Sequence, residues 1–339
     1  MNVAHWTSEE FLDEVRAWVA GRLAEHGLQP TGEWEQPHAR DWSSAIRFET
    51  TGGRVWFKVN GRATAFEPRL VRLLADLSPG LVPDQLATDV ERAWSLSRDG
   101  GPQMRAVHPP DALWKPWEQL VSRYAGVQRD RAAHTPALLD SGTPHHGPTR
   151  LVAELRGLRE RLRALPAGEG GISAADAAAL EEVEPVFAGW CDDLAASPVA
   201  ESVQHDDLHS ANVCWPGEDA SAARIIDWGD ASVAHPFGTM LATLNSIAFH
   251  AGVYRDDETF DDPRVDRVRD AYLEPFTDLA DRSDLLRWVE LARRTGCVSR
   301  ALSYEAALAD APAVAVEMEH PVREWLLALL EPWALAPVT

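Results

Sequence analysis

The chain has 339 residues, long for one compact domain and ample for two lobes that share a cleft. Hydrophobic residues make up 45% of it, which excludes wholesale disorder, while 53 acidic against 32 basic residues give a formal charge of −21. A surface that negative repels phosphate backbones and anionic lipid, so neither nucleic acid nor a membrane is expected as a partner.

The spacing of Phe11, Leu12, Val15, Trp18, Val19 and Leu23 predicts a helix, with Thr7 and Glu10 in capping-box form at its start and Gly27 at its end. Residues 45–50 and 54–60 read as strands around a Gly52-Gly53 turn, with Val55, Phe57 and Val59 alternating with Trp56 and Lys58. A helix over about 64–77 follows, then one strand-like segment near 86–96 and a polar turn from Ser97 to Pro102. From Asp111 to Ala196 nearly everything reads as helix, broken at 134–136, 141–148 and 166–173. Two short apolar runs, Val213-Cys214-Trp215 and Arg224-Ile225-Ile226, interrupt that pattern between 203 and 235, and helix then resumes to the C-terminus. The apolar stretch 236–253 is broken by Thr239, Thr243, Asn245, Ser246 and His250; it reads as a core helix, too polar to span a bilayer.

The expected organisation is α+β. A small mixed lobe, 1–100, meets a large helical lobe, 103–339, through a hinge near 97–102. Cys191, Cys214 and Cys297 are too few and too scattered for a zinc knuckle, a redox pair or a disulfide framework. With an acidic N-terminal stretch that lacks the basic start and apolar run of a signal peptide, the expected compartment is the cytoplasm.

The chemistry concentrates in two segments. His205-Asp206-Asp207-Leu208-His209-Ser210-Ala211-Asn212 fits H-x-D-L-x-x-x-N, and Asp227-Trp228-Gly229 stands fifteen residues beyond the Asn, behind the apolar pair Ile225-Ile226. Phosphoryl transfer to a hydroxyl needs a carboxylate to orient the attacking O–H, and oxygen ligands to hold magnesium against the phosphates. Asp207 is the candidate for the first task, Asn212 and Asp227 for the second. Either Asp alone is ordinary in so acidic a chain; the spaced set is specific. Of the 32 basic residues only Lys58 and Lys115 are lysines, and neither stands in a G-x-x-x-x-G-K-[ST] loop.

The stretch QHDDLHSANV, followed by IIDWGDASVAHP, resembles the catalytic core of the aminoglycoside phosphotransferase and choline kinase superfamily. WSSAIRFETTGGRVWFKV resembles its nucleotide-binding hairpin, and WSLSRDGGPQMR its hinge. The resemblance covers residues from roughly 42 to 236. It implies a protein-kinase-like two-lobe fold and an ATP- or GTP-dependent, magnesium-dependent small-molecule kinase with a hydroxyl acceptor. It further implies that Lys58 contacts the nucleotide phosphates, that Glu67 pairs with Lys58, and that Ser97 lies where the hinge meets the base. The absence of a G-x-G-x-x-G loop sets the chain apart from protein kinases.

Several residues keep two readings. Lys58 is otherwise a snorkelling strand lysine, and Glu67 closes a capping box with Thr64. Asn212 is a metal ligand or a turn former, and His209 a phosphate contact or a surface histidine. His205 reads as a brace for the loop. Asp206 departs from the commoner glycine and either perturbs Asp207 or faces solvent. Asp230 either binds a cationic acceptor or caps a helix. At the level of function, the leading expectation is phosphoryl transfer to a small, amine-bearing alcohol. The alternative is a nucleotide-binding regulatory module with little turnover.

Overall fold

The computed structural model describes residues 3–254, 261–309, 311, 314 and 318–336. The first long helix, α1 (Glu9–Glu25), starts one residue later than expected: Ser8 Oγ, not Thr7, accepts the Phe11 N–H at 3.3 Å. The Thr7 hydroxyl instead donates back to the Val3 carbonyl at 3.0 Å.

Five antiparallel strands follow: β1 (Pro30–Arg40), β2 (Ser43–Thr50), β3 (Gly53–Asn60), β4 (Gln85–Asp89) and β5 (Trp94–Arg98). They lie in the order β1-β2-β3-β5-β4. The segment expected as one strand near 86–96 is thus a hairpin, turned at Ala93 with φ 56° rather than at a glycine. Edge strand β1 was not expected, because it is largely exposed and shows no alternation; its register shifts between Glu35 and His38, on either side of Pro37.

The inward residues of β3, Val55, Phe57 and Val59, pack with Ile46, Phe48, Trp94 and Leu96 under the buried stripe of α1. Lys58 therefore points to the opposite face, with Ala45 and Ser95 as its ladder neighbours. Helix α2 (Glu67–Leu77) begins at Glu67 with no side-chain cap, so the Thr64–Glu67 capping box does not form.

The remainder is mainly helical, with α3 (Trp114–Arg131), α4 (Pro148–Arg163), α5 (Ala174–Ala196), α6 (Met240–His250), α7 (Pro263–Leu273) and α8 (Arg282–Leu308) as its long elements. Leu291 to Ala301 of α8 is buried on every face, so this helix runs through the middle of the lobe. Between α5 and α6 lie two small hairpin pairings, β6 (Ser202–Gln204) with β9 (Ser232–Ala234), and β7 (Val213–Cys214) with β8 (Arg224–Ile225). The helical pattern expected up to the C-terminus falls in part outside the described residues.

Just after β5 glycine is required at two successive positions. A Cβ on Gly100 would stand 2.8 Å from Cys214 Sγ, and Gly101, at φ +95°, lies against Pro216. Among the described residues no helix is long and apolar enough to cross a membrane.

Candidate active site

Strand β6 leads into the loop that carries Asp207 and β9 leads out of the segment that carries Asp227, so one small sheet ties both ends together. Within the loop His205 is the brace. Its N–H donates to Tyr124 Oη at 3.0 Å, its Nε2–H to the Ile226 carbonyl at 3.0 Å, and its Nδ1 accepts the Asp207 N–H at 3.2 Å. The Trp228 ring meets it edge-on at 4.8 Å. Burial pushes the imidazole below its ordinary range, which keeps it neutral and its two roles distinct.

Asp207 is held from three sides. Asn212 Nδ2 donates to its carbonyl at 3.0 Å and to Oδ2 at 3.3 Å; His209 Nε2 lies 3.3 Å from Oδ2, and Arg300 Nη2 donates to Oδ1 at 3.3 Å. Burial opposes its charge, but the His209 bond and the Arg300 guanidinium outweigh it and hold the carboxyl below its usual range.

Asp227 follows β8 in a left-handed conformation, φ 65° and ψ 61°, which costs a residue with a Cβ about 1 kcal/mol. This turn brings its Oδ1 to 2.6 Å from Lys58 Nζ, and the Lys58 charge draws its carboxyl down to about 2. On its other side Lys58 Nζ is 2.6 Å from Glu67 Oε2, while Glu67 Oε1 accepts the Trp228 N–H at 2.8 Å. Glu67 thus joins α2, β3 and the Asp227 turn. That linkage, rather than a cap, is what its side chain does.

Part of this cluster faces one cavity of about 190 Å3, whose lining includes neither Asn212 nor Glu67. Lys58, Asp207, Asp227 and Asp230 line one part of it; His38, Trp42 and Ser43 form a wall from the β1–β2 turn. Opposite stand Tyr304 and Leu308 of α8, with Met318 beyond them. Ser97 is not among the lining residues. It sits in β5 opposite Trp56 and Gln85, two ladder positions from Ser95, the neighbour of Lys58.

Asp206 neither faces solvent nor enters the cavity. It is buried among hydroxyl and amide donors: Ser232 Oγ at 2.8 Å, Ser299 Oγ at 3.3 Å and Gln204 Nε2. Burial raises its carboxyl to about 6. The folded value exceeds the ordinary one of 3.8, so its contribution to stability is full below 3.8 and is lost as pH rises through 6. Asp206→Asn keeps the acceptor for both serines and removes that loss. Between pH 4 and pH 7 the stability of the variant relative to wild type should rise by about 2 kcal/mol, read by urea denaturation at both values.

Asp230 does not cap a helix either. Its Oδ2 accepts from Arg300 Nη1 at 3.2 Å. Arg300, Tyr304, His38 and Trp42 are the site residues that sequence reasoning missed.

Oxygen ligands for magnesium are present. Asn212 spends its Nδ2 on Asp207, which leaves Oδ1 available, and the Asp227 side chain is half exposed towards the cavity. Among the described residues no group of three His, Cys, Asp or Glu forms a ready cage. One carboxylate and one amide oxygen suit an ion whose remaining ligands are phosphates and water.

A small sheet lobe with a larger helical lobe, and lysine, glutamate and two aspartates in one cluster, is the arrangement of the kinase-like phosphotransferases. The family model described as "Phosphotransferase enzyme family" matches residues 34–266, more than half of the chain, and the chain belongs to that family.

No curated protein matches the chain. Among solved structures it is similar to a macrolide 2′-phosphotransferase type I, with 16% identity, TM-score 0.58, and 94% of this chain and 98% of that one covered. A choline/ethanolamine kinase family protein from Mesorhizobium loti matches at 18% identity and TM-score 0.60, over 95% of this chain and 96% of that one. A spectinomycin phosphotransferase, solved with ADP and spectinomycin, matches at 13% identity and TM-score 0.50, over 94% of this chain and 95% of that one. At such identities the likeness is one of fold, and the fold is the protein-kinase-like one.

Proposed function

We propose that the protein transfers the γ-phosphoryl group of ATP or GTP to a hydroxyl of a small, amine-bearing molecule. The observation that carries this reading is that Lys58, Asp207 and Asp227 face one cavity of about 190 Å3. In it Asp207 orients the acceptor hydroxyl and takes its proton, and Lys58, held by Glu67, meets the nucleotide phosphates. Asn212 and Asp227 hold Mg2+, which when bound neutralises phosphate charge. Positioning and charge neutralisation supply the rate, with no covalent intermediate on the enzyme. The nucleotide lies between a lobe of residues 1–100 and one of 103–339, its base at the hinge near Ser97.

A spectinomycin phosphotransferase of the same fold was solved in complex with ADP and spectinomycin, which supports a nucleotide donor and a small-molecule acceptor. The net charge of −21 favours a cationic acceptor over nucleic acid. We assign the reaction to the cytoplasm, where both nucleotides are abundant.

The experiment is mass-spectrometric detection of a phosphate added to members of an acceptor panel: aminoglycosides, other basic antibiotics, choline, amino alcohols, amino sugars and simple sugars. Each is offered with MgATP or MgGTP. A product on an amine-bearing acceptor, absent with Asp207→Asn, is the expected result. A product on neutral sugars alone would overturn the amine, and nucleotide binding with no transfer to any acceptor or to water would overturn the phosphotransferase.

A further inference from the structure

Two consecutive residues of α8 grip two consecutive residues of the catalytic loop. Ser299 Oγ donates to Asp206 Oδ2 at 3.3 Å, and Arg300 Nη2 donates to Asp207 Oδ1 at 3.3 Å. The second arm of the same guanidinium, Nη1, reaches Asp230 Oδ2 at 3.2 Å. One side chain therefore spans the loop that carries Asp207 and the turn that follows Asp227, two segments that the His205–Ile226 and Ser232–Asp206 hydrogen bonds and a short strand pairing also join.

The fork is held in place. Arg300 is only 5% exposed and its guanidinium lies against the rings of Tyr304, 5.0 Å from its centroid, and Trp325, at 5.7 Å. Tyr304 Oη lies 3.3 Å from Nη2. Aromatic rings packed against a guanidinium restrict its plane, and a planar fork reaches two carboxylates where an ammonium reaches one. Helix α8 is buried all round just before this point, so the anchor is rigid.

We infer that Arg300 is a positioning residue for phosphoryl transfer: it fixes the Asp207 carboxylate against the acceptor hydroxyl and locks that loop to the Asp230 turn. This rests on the phosphotransferase reading above. Arg300 bonds Asp207 and Asp230 while Lys58 bonds Glu67 and Asp227, so its loss acts on turnover and spares the nucleotide.

The test compares Arg300→Gln and Arg300→Lys with wild type, in the same transfer reaction with MgATP or MgGTP. Arg300→Gln should lower kcat roughly 10²-fold and leave the nucleotide KM within about twofold, because displacing a reacting group by about 1 Å costs that much. Arg300→Lys keeps the charge but loses the fork, and should stay at least about tenfold below wild type. Circular dichroism and a thermal melt identify the variants that fold; if the Gln variant does not, the Lys variant decides.

A folded variant with kcat within about twofold of wild type overturns the proposal, as does a change confined to the nucleotide KM. Failure of both variants to fold also overturns it, by making Arg300 a purely structural residue. Absence of turnover in the wild type is a different failure: it removes the phosphotransferase reading itself.

Discussion

Asp207→Asn is expected to lower kcat by about 10²–10⁴-fold, the range that a positioned acid–base group contributes, and to leave nucleotide affinity unchanged. The substitution is nearly isosteric. The amide oxygen still accepts from Arg300 and the backbone carbonyl still accepts from Asn212. The new NH2 loses the Asn212 and His209 donors that Oδ2 held, so the fold should persist with a modest fall in melting temperature. What disappears is a charge and a proton acceptor at one place. His209 and Arg300 hold that carboxyl below its ordinary range despite burial, so it is ionised throughout the neutral region. A group so poorly basic orients the hydroxyl first and takes the proton late, which suits a loose transition state in which little charge has built up on the attacking oxygen. Single-turnover rates and a nucleotide titration separate the two effects. A variant that keeps more than about a tenth of the wild-type rate would remove Asp207 from the chemistry.

How much of this was legible beforehand differs by residue. Lys58 could be placed on the open face of its strand because Val55, Phe57 and Val59 alternate with it, a local signal of period two. Asp207, Asn212 and Asp227 could be named together because one loop and one short strand set their spacing. Glu67 needed more than local reading, since its sequence context makes a capping box as plausible as an ion pair; only the position of β3 decides between them. Arg300 carries no local mark at all. It sits on a helix whose periodicity is that of any core helix, 93 residues after the aspartate it holds. Pro37 and the exposed residues around it hid β1, and a hairpin turned at Ala93 without glycine hid the split between β4 and β5. Tertiary packing determines these features, and no local pattern records them.

Lys58→Met should remove both nucleotide binding and stability, and the two losses can be pulled apart. Glu67 is 5% exposed and the Lys58 side chain 22%, so the substitution strands a buried carboxylate. Removing one partner of such a pair costs about 3 kcal/mol, the low end of the usual range, because Lys58 retains some solvent. Asp227 adds little to that cost, as half of its side chain faces the cavity. The double variant Lys58→Met/Glu67→Gln removes the stranded charge, and the amide oxygen it introduces can still accept the Trp228 N–H that Glu67 holds at 2.8 Å. Urea denaturation at neutral pH should therefore show the double variant recovering most of the lost stability. Its nucleotide affinity should stay as low as that of the single variant, since the Lys58 ammonium that meets the phosphates is missing from both. Recovery of affinity alongside stability would mean that Lys58 only props up its lobe. Unchanged stability in the single variant would mean that Glu67 does not depend on Lys58, and that the junction of α2, β3 and the Asp227 turn rests on the Trp228 bond alone.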